Sequence, residues 1–183
     1  MEKNVALIAL FAALIAALGL IPKLTLGFGV PITAQTLGVM LCGTVLGSKR
    51  GTLSVLLFLL LVAIGLPLLS GGRGGLGVFA TPSAGFLLGW PFAALVTGLI
   101  VEKWRGGSLA VVAGVASVIG GIVVMYAFGV AGMSVALDKS LVEAAVLVTA
   151  FIPGDLIKAV IAGMLTAALF KARPASVLSR YAA

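Results

Sequence analysis

An aspartate and a lysine stand one helical turn apart in the run FIPGDLIKAVIAGM (Phe151–Met164), with 11 uncharged residues before Asp155 and 12 after Lys158. A spacing of i, i+3 puts both on one face of a helix. A carboxylate only accepts hydrogen bonds and an ammonium only donates them. The pair could therefore hold a small molecule that offers N–H donors together with a carbonyl or an anion. It could equally be an ion pair that neutralises itself in a packed interior, and spacing alone leaves both readings open. Pro153-Gly154 precedes the pair. Proline frees a carbonyl one turn back and glycine admits close backbone approach, as expected where a helix lines a cavity.

Two further stretches carry polar groups of the same kind. In GFGVPITAQT (Gly27–Thr36) Thr33 could cap a helix. Gln35 brings a primary amide that needs partners when it is removed from water. In SGGRGGLGVFATPSAGF (Ser70–Phe86), Gly71, Gly72, Gly74 and Gly75 surround Arg73. Gly72 and Gly74 would let the loop fold tightly against a ligand with Arg73 as an anion hook. A flexible surface loop has the same composition. Phe79, Phe86 and Trp90 could supply apolar walls, although such aromatics also serve as packing residues or interfacial anchors.

Other chemistries lack their residues. The chain has no histidine, so imidazole catalysis and imidazole metal ligation are excluded. Cys42 is the one cysteine. It can form no disulfide within the chain, belongs to no metal cluster, and reads as packing. Neither the glycine loop nor GSKRG (47–51) has the GxxxxGK[ST] spacing of a nucleotide-binding loop. The chain is expected to hydrolyse no ATP itself, to carry no cofactor or metal, and to be no enzyme.

The elements that position these residues follow from composition. Of 183 residues, 62% are hydrophobic and only 9% charged, with mean hydropathy +1.30. Soluble domains hold roughly 25% charged residues. Charge-free runs of 25 residues (Leu24–Ser48), 28 (Gly74–Val101) and 32 (Gly106–Leu137) match the roughly 20 residues that cross a bilayer. Breaks at Pro22-Lys23, 47–51, 71–75 and 105–107 divide the chain into helices at about 4–21, 34–48, 51–69, 84–101, 107–130 and 141–170. The reading is an all-α integral membrane protein, a six-transmembrane-helix bundle forming a single transmembrane domain over residues 1–183. The apolar stretch Val5–Ile21 is too long for a cleavable leader and is kept as the first span.

Orientation follows from the basic residues. With the N-terminus inside, eight of the twelve lie in inner segments, while Lys23, Arg73 and Lys139 lie outside and Lys158 within the membrane. This bias places both termini in the cytoplasm. It also accounts for the net charge of +7, which needs no nucleic-acid partner. Asp155 is 16 residues from Lys171 at the inner end of the sixth helix, about 24 Å at 1.5 Å per residue. Ionisable groups that deep cost several kcal/mol and mark ligand or ion pathways.

Ala9, Ala13 and Ala17 form a small-xxx-small stripe on the first helix, which suits close helix packing inside the bundle or against a partner. GFGVPITAQTLGVMLCGTVLG, the GGRGG loop followed by PSAGFLLGW, and PGDLIKA together resemble the BioY family. These are the biotin-specific substrate-binding (S) components of energy-coupling factor (ECF) transporters, found in prokaryotic plasma membranes. The resemblance covers nearly the whole chain. It implies the S-component fold and high-affinity biotin capture from outside. It also implies coupling to a transmembrane T subunit and two ABC ATPases that use the ATP. On the family pattern Asp155 and Lys158 are the acid and base that bond the ligand. Gln35 and the glycine loop match segments that close over it, and the stripe at Ala9, Ala13 and Ala17 meets the T subunit. A self-sufficient secondary transporter or channel for a small polar solute is the competing class, and the lack of a visible inverted repeat argues against it.

Overall fold

The computed structural model describes residues 2–181 except 26 and 28. Six helices alternate in direction: Glu2–Leu18, Gln35–Leu46, Ser48–Ala63, Ala84–Lys103, Leu109–Leu137 and Leu141–Ala172. The last three, of 20, 29 and 32 residues, are long and apolar enough to cross a membrane. The first and third, with 17 and 16 residues, span about 25 Å and come close to the hydrocarbon thickness. Apolar side chains occupy both the inside and the outside of the bundle. Ile15, Phe58 and Met133 are fully buried, whereas Leu10, Leu60, Val123, Val160 and Met164 are 58–62% exposed. An outer surface of that kind suits lipid rather than water.

Several helix ends differ from the sequence expectation, each for a local reason. The first helix stops at Leu18 rather than 21, because the Gly19 amide turns back to the carbonyls of Ile15 and Ala16 (3.2 and 2.9 Å). The segment before the glycine loop crosses there. The break expected over 47–51 is a single residue, Gly47, at φ 85°, and Lys49–Gly51 lie in the third helix. Glu102 of the fourth helix makes this possible. It accepts from the Ser48 amide and hydroxyl (2.7 and 2.8 Å) and so caps the third helix with a negative charge. The third helix ends at Ala63, short of 69, since Gly65 turns at φ 111° and Pro67 follows. The fifth continues past 130 to Leu137 and ends on the left-handed Asp138.

The helices are not uniform. One π turn closes the second helix (Cys42–Leu46) and another interrupts the fifth (Ile119–Val124), while a 3₁₀ turn (Thr149–Phe151) divides the sixth. That 3₁₀ turn ends two residues before Pro153, which has no amide to give the Thr149 carbonyl. Close approach of the last two helices rests on Gly163, where a side chain would collide with the Ala110 carbonyl and Gly114. At the end of the bundle opposite both termini, Leu24–Thr25 pairs antiparallel with Pro31–Ile32, a short hairpin that the sequence reading lacked. At the other end, residues 174–180 fold back beneath the bundle. Val177 and Ser179 are fully buried. Ser179 donates to the Thr44 carbonyl, and Arg180 donates to the Val101 carbonyl of the fourth helix and the Trp104 carbonyl just past its end (3.2 and 2.9 Å).

Candidate functional site

Three helices meet at one carboxylate. Asp155 is 4% exposed and lies in the first turn of the helical stretch that resumes at Ile152 after the 3₁₀ turn. Its Oδ1 accepts from Lys158 Nζ at 2.8 Å and from the Thr36 hydroxyl of the second helix at 3.1 Å. Its Oδ2 accepts from the Tyr126 hydroxyl of the fifth helix at 2.6 Å. Lys158 also donates to Thr36 Oγ1 at 3.0 Å, closing a triangle. Counting valences leaves one acceptor position on Oδ2 and one N–H on Lys158. Side by side, they complement a group with an N–H donor next to a carbonyl.

Asp155 and Lys158 line a cavity whose space, counting its open mouth, is about 530 Å3. Phe86, Leu87, Trp90, Met125 and Phe151 line it. Phe86 meets Tyr126 and Phe151 edge to face, with ring centroids 6.1 and 5.7 Å apart, while Trp90 rests on Phe58 at 5.9 Å. Val30–Thr33 of the outer loop, Leu69 and Arg73 also line it. Arg73 is partly buried, which pulls its pKa below the ordinary arginine value. Among the described residues no carboxylate lies within ion-pair distance of it.

Of the residues singled out from sequence, Asp155, Lys158, Gln35, Arg73, Phe86 and Trp90 share this cavity. Phe79, Gly72 and Gly74 do not line it. Phe79 packs against the core on the outer side of the fourth helix. Gly72 shapes the tip of the loop at φ 69°, and the Leu66 carbonyl fills the space a side chain at Gly74 would need. Gln35 is present but its amide faces protein: Nε2 donates to the Ile15 and Leu68 carbonyls (3.1 Å each), and Oε1 accepts from the Ser70 amide at 3.0 Å. Ala9, Ala13 and Ala17 lie exposed along the first helix, while Ala12 and Ile15 turn inward. The stripe is therefore on the outside of the bundle.

Tyr126 and Thr36 are not among the residues singled out from sequence. A signal for Tyr126 existed: it is one of two tyrosines and lies inside a 32-residue charge-free run, where a phenol needs an acceptor.

Comparison with known proteins fits this geometry. The family model described as BioY family matches residues 2–175. The chain is 53% identical to the biotin transporter BioY of Rhodobacter capsulatus, over 98% of this chain and all of that protein. It is likewise 53% identical to the biotin transporter BioY of Rhizobium etli, over 94% and 95% of the two chains. A crystal structure of the S-component for biotin from an ECF-type ABC transporter superposes with a TM-score of 0.88 at 33% identity, covering 93% of this chain and 92% of that one. The chain belongs to the BioY family, and it is a membrane protein with the six-helix bundle of an S component.

Proposed function

We propose that this chain captures biotin from outside the cell and delivers it across the membrane as the S component of an ECF-type ABC transporter. The observation that carries the reading is the residual bonding capacity of the Asp155–Lys158–Thr36–Tyr126 cluster. Biotin's ureido ring presents an N–H beside a carbonyl. The N–H meets the open position on Asp155 Oδ2 and the carbonyl meets the free N–H of Lys158. The apolar thioether ring lies against Phe86 and Trp90. The carboxylate at the end of the tail pairs with Arg73, a half-buried cation that donates through Nε to the Ser70 carbonyl at 3.4 Å and meets no carboxylate among the described residues.

Capture alone moves nothing across a membrane, so the energy comes from partners. The exposed face at Ala9, Ala13 and Ala17 docks on the transmembrane T subunit, and two ATPases bound to that subunit use the ATP. Both termini face the cytoplasm, so the cavity, at the opposite end, faces outward. Biotin titrated into the purified chain should bind one to one. In vesicles, uptake of labelled biotin should require the T subunit and ATPases. Uptake by the chain alone, driven by an ion gradient, would replace this reading with a secondary transporter.

A further inference from the structure

Gln35 lines the cavity, yet both N–H groups and the carbonyl of its amide bind protein, and these three bonds tie separate stretches of the chain together. The Ile15 carbonyl belongs to the last turn of the first helix, Leu68 to the segment entering the glycine loop, and Ser70 to the loop itself. Gln35 is 1% exposed and its backbone begins the second helix, with its amide donating to Thr33 Oγ1 at 3.3 Å. The fit around it is tight. A Cβ at Gly19 would lie 2.6 Å from the Leu68 carbonyl and 2.9 Å from Gln35 Nε2, so any larger residue there would push the two apart.

The loop that Gln35 grips is itself stiff. Leu69 and Arg73 exchange both backbone hydrogen bonds (3.0 and 3.1 Å), and Gly71 and Gly72 turn between them at φ 82° and 69°. Leu69 and Arg73 both line the cavity. Gly65 at φ 111° and Gly75 at φ 82° flank the unit, and the Gly75 amide ties it to the Val62 carbonyl at 2.7 Å. Inside the unit, the buried Ser70 hydroxyl has no partner among the described residues. A buried hydroxyl without a protein partner is a cost that a new neighbour or release of the loop would remove. The unit is thus held down by Gln35 while carrying one group that favours release.

We infer that Gln35 is a positioning residue, a clasp that holds the 69–73 hairpin over the cavity and couples its release to the first helix. Opening the hairpin requires the Leu68 and Ser70 bonds to break, or the first-helix end to follow through Ile15. Tilting the first helix pulls on the same amide from its other side. Because that helix carries the exposed Ala9, Ala13 and Ala17 face, a partner that tilts it loosens the hairpin. Only this last step rests on the proposed docking to the T subunit.

Gln35→Met keeps the length of the side chain and removes all three bonds, and Gly19→Ala displaces the clasp while leaving Gln35 in place. Each should raise hydrogen exchange at the Leu69, Arg73 and Gly75 amides at least about tenfold, without raising it at Ala93 and Ala94 in the fourth helix. Each should also speed release of bound biotin by about tenfold, as for the loss of one to two hydrogen bonds. T subunit added without ATP should accelerate release from the unaltered protein and add little in Gln35→Met. Unchanged hairpin exchange in Gly19→Ala and Gln35→Met would overturn the clasp, as would exchange raised equally throughout the bundle. The exchange arm needs no ligand, so it decides the clasp even if biotin fails to bind and the proposed function falls. Equal acceleration by T subunit in Gln35→Met and the unaltered protein would overturn the coupling.

Discussion

Tyr126→Phe removes a single oxygen from the wall behind Asp155. The ring stays, and with it the edge-to-face contact to Phe86 at 6.1 Å, so packing changes little. What is lost is the 2.6 Å donor to Oδ2. The other donors, Lys158 and Thr36, both serve Oδ1. A carboxylate that is 4% exposed then keeps one oxygen fixed and leaves the other, the one offered to ligand, free to swing. A charge-assisted hydrogen bond contributes roughly 1.5–3 kcal/mol. Part of that is regained when bound ligand donates to the same oxygen. A net penalty of about 1.4 kcal/mol, or tenfold in Kd, follows. Titration calorimetry on the purified protein would measure it, with an Asp155→Asn background as control. There Tyr126→Phe should cost only about 0.3 kcal/mol, the usual scatter for uncoupled sites. A biotin analogue methylated on its ureido nitrogens should likewise be little affected. Full additivity of Tyr126→Phe with Asp155→Asn, or unaltered affinity in the single variant, would refute the idea that the phenol aims the carboxylate.

Three other outcomes follow from the same site. Asp155→Asn and Lys158→Met should each weaken biotin binding at least about tenfold, and normal titration curves for both would end the assignment of the cluster. Arg73→Ala should weaken biotin by about tenfold yet leave biotin methyl ester, which has no carboxylate, unchanged in a competition assay. An equal loss for acid and ester would mean that Arg73 acts only by shaping the hairpin. Ala13→Trp on the exposed face of the first helix should abolish ATP-dependent uptake and pull-down of the T subunit while biotin still binds. Loss of binding as well would place the stripe in the packing of this bundle.

How much of this was legible depends on how much a residue type says about its own surroundings. Asp155 and Lys158 announced themselves because two charges inside a long apolar run have few explanations. The bundle was legible for the same reason, since lipid imposes a length and a composition on each span. Tyr126 was harder because a phenol is content at an interface, in a core or in a site, and only the fold brings it to a carboxylate 29 residues away. Gln35 shows the intermediate case. Its need for partners was evident, but all of them are backbone groups, which carry no sequence signature. Helix ends failed where tertiary contacts decide them. Nothing in GSKRG reveals that Glu102, more than fifty residues on, caps Ser48 and reduces the turn to Gly47. Phe79, expected at the wall, instead packs against the core away from the cavity, from the 3₁₀ turn Leu76–Ala80.

The folded-back stretch 174–180 bears on how the protein is made. Ser179 and Arg180 complete carbonyls at Thr44, Val101 and Trp104, groups that leave the ribosome long before their partners do. A nascent chain with all six helices already inserted still has an open seam at its inner end, and that seam closes only when the segment beyond the sixth helix emerges. Ordering at the inner end therefore follows synthesis of the sixth helix. A tag or fusion joined directly after Ala172 would leave the helices in place and the seam open, whereas one joined beyond Tyr181 would not.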